Sequence, residues 1–498
     1  MRNLELLLFV TIALQILILL FQGKSHHRKG GSAVVILTGV TLTQYFVEGP
    51  RWQMYFCYGL VIVLIIAFLF RYSQKRFYLV RQPRNGNRSL KKSLFLVILG
   101  GLWFLALLPV LYFPVFNLPE PLGINPVGMV TFDFVRPKSG KIDPAVLPAE
   151  SERRLNAKVL YPRKNQPGAE FGVYLKGKEG FFNHLKYTKT HSVENAPLAD
   201  LENIPVVVFS HEYFGLLEQN TQWAQELASQ GFVVFLIGRP TESLSYANAQ
   251  NQILSWTQKT ESKVIASLRG FPLTRFSSET DEQKEKMLQV YWANQKDLIE
   301  SSEIWEKDLS WVIGELNRIQ TGETSSIFTK KLDLTKIVLA GHGFGGTISS
   351  LVCELENSCA ASINLGGFGL GSSLQNGFQK PTLAIYGKKL APLFDFLRKK
   401  STKDFFAVEV QNVELWDFTD LKWAAPRLIG QGLLGTISGN RLQTTLNGYS
   451  LSFLKAILYG SEEALLEKKS ILGAILHKGK AASMIPATVD LELEPVSP

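Results

Sequence analysis

Four long apolar runs in the first quarter of the chain restrict its fold more than any other feature. They occupy residues 4–21, 33–47, 54–70 and 94–116 of the 498 residues. A helix that crosses the hydrocarbon core of a bilayer needs about 20 apolar residues, with roughly 17 to 25 acceptable. The first, third and fourth runs meet this requirement. The second run is short and contains Thr38, Thr41, Thr43 and Gln44, so it is either a fourth span or a re-entrant or interfacial segment.

Basic residues are concentrated in the same apolar region. Residues 1–118 contain 13 Lys and Arg and two acidic residues, whereas the remaining chain contains 40 and 41. The part that is large enough for a globular domain therefore has no basic excess, which argues against nucleic-acid binding. Lys and Arg accumulate in cytoplasmic loops of membrane proteins. The loop after the first run has three basic residues and the loop before the fourth has eight, so we expect the chain after residue 116 to be extracytoplasmic.

These patterns divide the chain into three parts. We interpret residues 1–118 as a transmembrane region of about four spans, 119–460 as an extracytoplasmic domain, and 461–498 as a C-terminal helix and tail. The first run is a poor signal peptide, because Arg2 is offset by Glu5 and no small-residue cleavage site precedes Gly23. With four spans the N-terminus is extracytoplasmic. If the second run does not cross, the N-terminus is cytoplasmic and the side of the domain is unchanged.

Beyond the apolar region, short apolar runs alternate with longer helical stretches. Strands that alternate with helices indicate βαβ units and a mainly parallel sheet, so the predicted fold class is α/β. In such sheets, ligands bind at the carboxyl ends of the strands. The sequence predicts buried strands at 204–209, 232–237, 337–340, 360–365 and 382–386, and helices at 223–230, 282–319 and 347–355.

One motif is specific. The sequence Gly341-His342-Gly343-Phe344-Gly345-Gly346 follows the predicted strand at 337–340 and begins a predicted helix. This is the context of the nucleophile elbow of α/β-hydrolases, G-x-S-x-G, in which the nucleophile occupies the tip of a sharp turn. The residue at the tip is Gly343, which has no side chain that could attack a carbonyl.

Several segments resemble the platelet-activating factor acetylhydrolase family, whose members are α/β-hydrolases that cleave short or oxidised acyl chains from phospholipids. The segments are VVVFSHEYFG (206–215), ELASQGFVVFLIGRP (226–240), IVLAGHGFGGT (337–347) and NSCAASINLGGF (357–368). Residues 127–137 and 153–162 are similar to that family's entry strands. The resemblance covers about residues 125–425 and implies an α/β-hydrolase fold.

The resemblance also implies that the catalytic triad is not retained. The family's serine matches Gly343, its acid matches Gly366, and its histidine matches Leu415, or Glu414 with a one-residue shift. The family's oxyanion loop, S-H-G-x-G, matches residues 210–214. In that loop Glu212 would place a carboxylate near the developing oxyanion, where hydrogen-bond donors are needed. The residues expected around the former pocket are His211, Glu212, Tyr213, His342 and Phe344.

The positions of the histidines support this conclusion without any alignment. A triad in the hydrolase order requires the histidine to follow the elbow, and of the seven histidines only His477 does so. We expect His477 to be an exposed residue of the tail. The neighbouring Thr347, Ser349 and Cys353 lie along the helix rather than at its tip, so we expect them to pack on the sheet. Loss of the nucleophile alone costs a serine hydrolase roughly 10⁶ in turnover.

Three functions are compatible with these residues. We favour a hydrolase-derived binding or scaffold module without a cofactor, held near membrane lipids and binding a lipid or acyl ligand or an envelope protein partner. The alternative is an active membrane phospholipid or acyl esterase with a displaced catalytic site. The third is a metal-dependent hydrolase that uses His211 and His342. The spacing indicates no further ligand for a metal, so we predict no metal site.

Two cysteines lie in the predicted extracytoplasmic domain. An oxidising compartment permits a disulfide between Cys353 and Cys359. Because two cysteines six residues apart on a helix-to-strand turn need not have disulfide geometry, we expect them to be unpaired, with a disulfide as the alternative.

Overall fold

The computed structural model describes residues 1–21, 27–77, 88–137, 152–176, 181–239, 242–247, 253–255, 271–467 and 470–479. Residues 78–87 of the predicted basic loop before the fourth run and the tail after residue 479 lie outside these residues. The chain forms two compact units. The first contains residues 1–116 together with 179–187 and 424–427, and the second contains the remainder.

Four helices build the first unit. They are α1 (Asn3–Phe21), α2 (His27–Thr43), α3 (Tyr55–Phe77) and α4 (Arg88–Tyr112), with a π-helical turn at Gln44–Glu48 and a 3-10 turn at Trp52–Met54. In the part of the chain that the structure describes, two stretches are long and apolar enough to cross a membrane, Trp52–Phe70 and Leu94–Tyr112, and Asn3–Leu19 is a shorter apolar helix. The number of four spans therefore stays a prediction.

Hydrogen bonds at one end of the four helices define their arrangement. The Arg51 guanidinium donates to both carboxylate oxygens of Glu5 at 2.7 and 2.8 Å and to the carbonyl of Phe113 at 2.8 Å. Glu5 is in the first turn of α1, Arg51 connects α2 to α3, and Phe113 follows α4. The start of α1, the α2–α3 connection and the end of α4 therefore lie at the same end of the unit, as they do in an antiparallel four-helix bundle.

An 11-stranded sheet forms the centre of the second unit. Its order is β13-β12-β11-β10-β9-β5-β6-β2-β1-β4-β3. The strands are β1 (Val127–Pro137), β2 (Glu152–Pro162), β3 (Phe171–Val173), β4 (Lys189–Glu194), β5 (Ile204–Ser210), β6 (Val233–Gly238), β9 (Leu332–His342), β10 (Cys359–Leu365), β11 (Thr382–Gly387), β12 (Phe405–Val410) and β13 (Ala474–Lys478). A separate hairpin pairs β7 (Ser245–Ala247) with β8 (Ile253–Ser255).

The six central strands from β6 to β12 are parallel, and the strands at both edges introduce antiparallel pairs. Alternate side chains of these strands enter two apolar cores, so Val206 and Val208 face one side of the sheet and Val207 and Phe209 face the other. Both cores are buried under helices, as expected for a parallel sheet. The α/β class and the α/β-hydrolase architecture agree with this sheet.

Helices cover both faces of the sheet. Trp305 of α8 and Ile348 of α9 enter the first core, and Trp223 of α5 and Phe453 of α13 enter the second. The helices are α5 (Thr221–Ser229), α6 (Leu273–Ser278), α7 (Asp281–Ala293), α8 (Lys296–Thr321), α9 (Phe344–Leu355), α10 (Ser372–Asn376), α11 (Ala391–Lys400), α12 (Leu421–Ala424), α13 (Gly439–Tyr459) and α14 (Ala464–Glu467).

One sequence expectation needs correction and one needs detail. The helical stretch expected at 282–319 is α7 followed by α8, because the Asn294 side chain donates to the Val290 carbonyl at 2.8 Å and competes with continuation of the helix. The cysteines expected to be unpaired, Cys353 and Cys359, form a disulfide. The turn between α9 and β10 brings their Cα atoms to 5.2 Å, which is within the range that a disulfide spans. In the predicted tail, β13 is hydrogen-bonded to β12 and completes one edge of the sheet.

Candidate functional site

The candidate site lies where the connection between parallel strands changes direction. From β5 the chain passes to β6 on one side, and β9 then pairs on the other side of β5. At such a switch point the loops after the two adjacent strands separate and leave a crevice. The loop after β5 begins with His211, and the turn after β9 contains Gly343.

The turn after β9 has the shape of an elbow. Gly343 has φ 53° and ψ −119°, a conformation that favours glycine, and α9 begins at the next residue. A Cβ atom at Gly345 would lie 2.3 Å from the carbonyl oxygens of Ser210 and His211. The first turn of α9 therefore approaches the end of β5 so closely that only glycine fits at this position.

The Glu212 side chain occupies the tip of this elbow. Its Oε1 accepts hydrogen bonds from the backbone N–H groups of Tyr213 at 2.6 Å and Phe344 at 3.1 Å. Its Oε2 accepts from the Phe344 N–H at 3.2 Å. A Cβ atom built on Gly343 would lie 1.4 Å from Oε2. The carboxylate thus fills the space that a side chain at position 343 would need.

The two N–H groups that hold Glu212 are the ones that an α/β-hydrolase would use for its oxyanion. In that fold the donors are the N–H of the residue after the nucleophile and an N–H from the loop after an earlier strand. Phe344 and Tyr213 occupy these places. Both N–H groups are directed at a carboxylate of the protein itself.

Burial changes the ionisation of Glu212. The surrounding protein raises its pKa from the ordinary value to about 7, because desolvation disfavours the charged form. The hydrogen bonds from Phe344 and Tyr213 act in the opposite direction but do not cancel this effect. Near neutral pH the carboxyl group is therefore partly protonated.

The structure brings the three positions of the expected triad together. The Gly343 N–H donates to the carbonyl of Leu365, the residue before Gly366, at 2.9 Å. A Cβ atom at Gly366 would lie 2.9 Å from Cδ1 of Leu415. Gly343, Gly366 and Leu415 thus surround one space, and none of them has a group that can donate, accept or transfer a proton through its side chain.

His342 is held by two hydrogen bonds. Its Nε2–H donates to the Leu415 carbonyl at 2.8 Å, and its Nδ1 accepts from the Gln219 amide at 2.9 Å. This pattern fits the neutral imidazole, and burial lowers the pKa of His342 to about 4. The backbone carbonyl of Leu415 therefore positions His342, whereas the side chain of Leu415 cannot take the place of the family's catalytic histidine.

His211 is hydrogen-bonded to Ser243, a residue that no sequence motif singles out. The His211 Nδ1–H donates to the Glu212 carbonyl at 2.6 Å, and its Nε2 accepts from the Ser243 hydroxyl at 2.8 Å. Burial, followed by the charge of Arg239, lowers the pKa of His211 to about 3. The ring is oriented by a backbone carbonyl rather than a carboxylate, and a histidine with this pKa is a weak base.

The other sequence candidates lie in structural positions. The Thr347 hydroxyl donates to the Gly343 carbonyl, the Ser349 hydroxyl donates to the Ala340 carbonyl, and Cys353 is in the disulfide. His477 is on β13 at the edge of the sheet, with Nε2 3.7 Å from a Glu409 oxygen. In the described part of the chain, no three His, Cys, Asp or Glu residues are grouped so that they could hold a metal ion.

A cluster of charged residues lies behind His211 and was not foreseen. Its centre is Asp308 of α8, which is buried and accepts hydrogen bonds at 2.9 Å from Arg136 of β1 and Arg153 of β2. Arg153 also donates to Glu242 at 2.8 Å. Arg239 has its Nε 3.8 Å from Asp308 and its guanidinium 3.9 Å from the Trp305 ring centre. We call these residues the Asp308 cluster.

A second unforeseen residue, Asp420, holds the start of α5. Its carboxylate accepts from the N–H groups of Thr221 at 2.8 Å and Gln222 at 3.3 Å, and from the Tyr174 hydroxyl at 3.1 Å. Burial raises the pKa of Asp420 to about 8. The segment 415–420 thus caps the N-terminus of α5 through its last residue, Asp420.

A groove of about 470 Å³ lies on the surface formed by α6 and α7. Its walls include Arg275, Lys286, Met287, Val290 and Tyr291. Tyr291 also stacks on Phe368 with ring centres 6.2 Å apart, and burial raises the pKa of its hydroxyl.

Comparisons with known proteins agree with the α/β-hydrolase fold. The family model of platelet-activating factor acetylhydrolase, isoform II, matches residues 174–464. A platelet-activating factor acetylhydrolase of Cavia porcellus is 23% identical over 278 residues, which are 53% of this chain, and the match spans only 60% of that relative's length. The structure of a ferulic acid esterase from Streptomyces cinnamoneus is similar in fold, with a TM-score of 0.56 and 21% identity over 73% of this chain and 99% of the esterase.

Proposed function

The chain belongs to the platelet-activating factor acetylhydrolase, isoform II, family, and we propose that it is a membrane-anchored member that binds a ligand or partner without hydrolysing an ester. One observation carries this proposal. The Glu212 carboxylate accepts hydrogen bonds from the N–H groups of Tyr213 and Phe344 and lies where a nucleophilic side chain would be. A substrate carbonyl would have to displace this carboxylate to reach the same donors.

The nucleophile that the site lacks would make a large contribution to lowering the activation free energy. Loss of a serine nucleophile costs roughly 10⁶ in turnover, which is about 8 kcal/mol of activation free energy. The remaining acceleration of a triad-less hydrolase, about 10³ to 10⁴ over water, comes from binding and the oxyanion hole. Since Glu212 occupies those donors, we infer that this remainder is also lost.

The surface of the first unit supports membrane anchoring. Its helices have large apolar side chains that face outward, including Phe46 at 78%, Val97 at 71% and Phe56 at 69% exposure. Soluble proteins rarely expose apolar area on this scale, whereas a lipid-facing surface consists of it. We propose that all four helices of the bundle cross the membrane, including α2.

The orientation proposal uses the charges at the two ends of the bundle. The end that contains the start of α1 and the end of α4 has Arg2 and Arg51, which are balanced by Glu5 and Glu48. By sequence, the other end has the basic loops, which favour the cytoplasm. Because the second unit continues from α4, we propose that it is extracytoplasmic. The disulfide between Cys353 and Cys359 supports this side, since disulfides persist in oxidising compartments.

The orientation can be tested with an impermeant maleimide on intact cells. A cysteine introduced at the exposed Ser461 should be labelled from outside. A cysteine introduced at Asn87, in the predicted cytoplasmic loop, should be labelled only after lysis. The reverse pattern would refute the proposed orientation.

The catalytic proposal is tested by labelling purified full-length protein with a fluorophosphonate probe and by assaying p-nitrophenyl acetate and a short-acyl phospholipid. We expect no labelling and no turnover above buffer. Labelling at one residue, with turnover lost when that residue is replaced, would overturn the proposal.

A second candidate function has one observation in its favour. The Ser243 hydroxyl lies 2.8 Å from Nε2 of His211, so an esterase with a displaced serine–histidine pair would use these two residues. Both are buried, and the lowered pKa of His211 weakens it as a base. Under this alternative, the probe would label Ser243, and Ser243→Ala would abolish both labelling and turnover.

A further inference from the structure

The Asp308 cluster contains more cationic than anionic side chains. Its cations are the guanidinium groups of Arg136, Arg153 and Arg239, and its anions are the carboxylates of Asp308 and Glu242. Counted in their ionised forms, the described side chains of the cluster carry one positive charge in excess. A buried charge is costly unless an opposite charge compensates it. The cluster therefore attracts one further negative charge.

The two carboxylates direct their acceptors at two of the three cations. Asp308 accepts hydrogen bonds from Nε of Arg136 and from Nε of Arg153, each at 2.9 Å. Oε2 of Glu242 accepts from Nη2 of Arg153 at 2.8 Å and from the indole N–H of Trp305 at 3.0 Å. The third guanidinium donates to neither carboxylate, so the excess charge is located there.

Arg239, the third cation, keeps unused donors. Its Nη2 donates to the Ser210 hydroxyl at 3.1 Å, and its Nε lies 3.8 Å from Oδ2 of Asp308, which is too far for a hydrogen bond. Among the residues that the structure describes, nothing accepts from Nε or Nη1, although the side chain is fully buried. A buried guanidinium with unused N–H groups and an excess of positive charge around it is suited to an anion.

The surroundings of Arg239 favour a small anion. The centre of the Trp305 ring lies 3.9 Å from the guanidinium carbon and covers one face of the group. Burial lowers the pKa of Arg239 to about 10, although the charge of Asp308 acts in the opposite direction, so the cation is poorly solvated. The side chains of Arg136 and Arg153 are each 12% exposed. The cluster therefore reaches the protein surface, from which a small ion can enter.

We propose that the Asp308 cluster binds one small monovalent anion, represented by chloride, which accepts hydrogen bonds from Arg239 and compensates the excess charge. This inference goes beyond the proposed function and does not depend on whether the elbow hydrolyses an ester. A divalent anion such as sulfate fits less well, because it would reverse the net charge of the cluster and costs more to desolvate. A metal cation is repelled by the excess positive charge.

The anion stabilises the connection that holds His211. Arg239 follows β6, and its backbone N–H donates to the Ser243 hydroxyl at 3.0 Å. The same hydroxyl donates to Nε2 of His211 at 2.8 Å. An anion that fixes Arg239 therefore also fixes the residue that positions His211 beside the elbow.

The test uses purified full-length protein in a non-ionic detergent, in buffers of constant ionic strength in which chloride replaces gluconate. Binding is measured by the quadrupolar broadening of the chloride NMR signal, and the effect on stability by the midpoint of thermal unfolding. Because a ligand that binds only the folded state stabilises it, we expect chloride to raise this midpoint by about 2–4 °C.

Two substitutions should change the chloride effect in opposite directions. Arg239→Gln removes the excess charge, so chloride should no longer broaden the signal or raise the midpoint. Glu242→Gln keeps the shape of the side chain and raises the excess to two charges, so it should bind chloride severalfold more tightly. A purely structural role of the cluster would not produce this gain. Arg318→Gln, at an exposed ion pair of α8, is the matched control and should behave like the unmodified chain.

Three outcomes would overturn the proposal. They are no chloride binding by the unmodified chain, equal binding by Arg239→Gln and the unmodified chain, and binding of sulfate at the cluster without binding of chloride. If Arg239→Gln does not fold, Glu242→Gln decides the question, since an unchanged affinity for chloride in that variant contradicts the proposal. General effects of salt on stability act equally on the Arg318→Gln control and therefore do not imitate these differences.

Discussion

Two buried carboxylates of the second unit, Asp308 and Glu212, are stabilised in different ways. Asp308 accepts hydrogen bonds from the guanidinium groups of Arg136 and Arg153, so its charge is balanced and it links α8 to β1 and β2. Among the residues that the structure describes, Glu212 has only backbone N–H partners and no cation. The carboxylate of Asp308 therefore has its counter-charge within the fold, whereas the described residues supply none for Glu212.

The largest expected effect comes from breaking the Asp308 cluster. Asp308→Asn removes the buried negative charge that faces the guanidinium groups of Arg136, Arg153 and Arg239, of which Arg153 keeps Glu242 as a partner. Removal of one partner from a buried ion pair costs about 3–5 kcal/mol. We expect a loss of this size in the free energy of unfolding, measured by denaturant titration in detergent.

The matched control for this prediction is on the same helix. Glu315 forms an exposed pair with Arg318, and Glu315→Gln should cost less than about 1 kcal/mol. Equal losses for the two variants would show that the Asp308 cluster contributes no more to stability than an ion pair at the surface.

The second prediction concerns the pH dependence that Glu212 introduces. Its pKa rises from about 4.5 in the unfolded chain to about 7 in the folded protein, so folding takes up a proton between these values. The group therefore contributes stability that is fully present below pH 4.5 and is lost as the pH rises through 7. The shift corresponds to about 3 kcal/mol.

The difference in free energy of unfolding between the unmodified chain and Glu212→Gln should fall by this amount from pH 4 to pH 8. The contributions of Asp420, His211 and His342 are present in both proteins and cancel in the difference. A difference that does not vary with pH would contradict the assignment of a raised pKa to Glu212.

The third prediction tests whether Glu212 and position 343 compete for one space. Gly343→Ser should destabilise the protein by about 1–3 kcal/mol, because its Cβ would overlap Oε2 of Glu212. In a Glu212→Gly background the same serine should cost at least 1 kcal/mol less. Additive effects in this double-mutant cycle would show that the two positions do not interact.

The smallest effect is expected at Ser243. Ser243→Ala removes a hydroxyl that accepts from the Arg239 N–H and donates to His211, so we expect a loss of about 1 kcal/mol in stability. Loss of probe labelling in this variant would support the displaced esterase.

Much of the sheet could be predicted from the sequence. The continuous apolar runs gave 204–209 and 382–386, within one residue of β5 and β11, because central parallel strands are buried on both faces. The run at 337–340 gave only the end of β9, since Asp333 and Lys336 make its first half polar. The short strands β3 and β4 at the edge were missed because they have no such runs.

The site could be predicted only in part. Local sequence was sufficient to place Gly343 at an elbow and Glu212 in the neighbouring loop. It could not show that the Glu212 side chain reaches the Phe344 N–H, because this bond joins residues far apart in the chain and depends on the side-chain rotamer. The Asp308 cluster could not be predicted for the same reason, because Arg136, Arg153 and Asp308 come from three distant segments with no common sequence pattern.

The backbone conformation of Gly343 also bears on the balance between catalytic activity and stability. A residue with a side chain held at φ 53° and ψ −119° would store about 1–3 kcal/mol of steric strain, the usual cost of carrying a nucleophile at such a turn. Glycine adopts this conformation without that strain. The elbow of this protein therefore does not carry this backbone strain. Under the proposed function no nucleophile has to be held in a strained conformation at this turn, so the turn need not lower the stability of the fold.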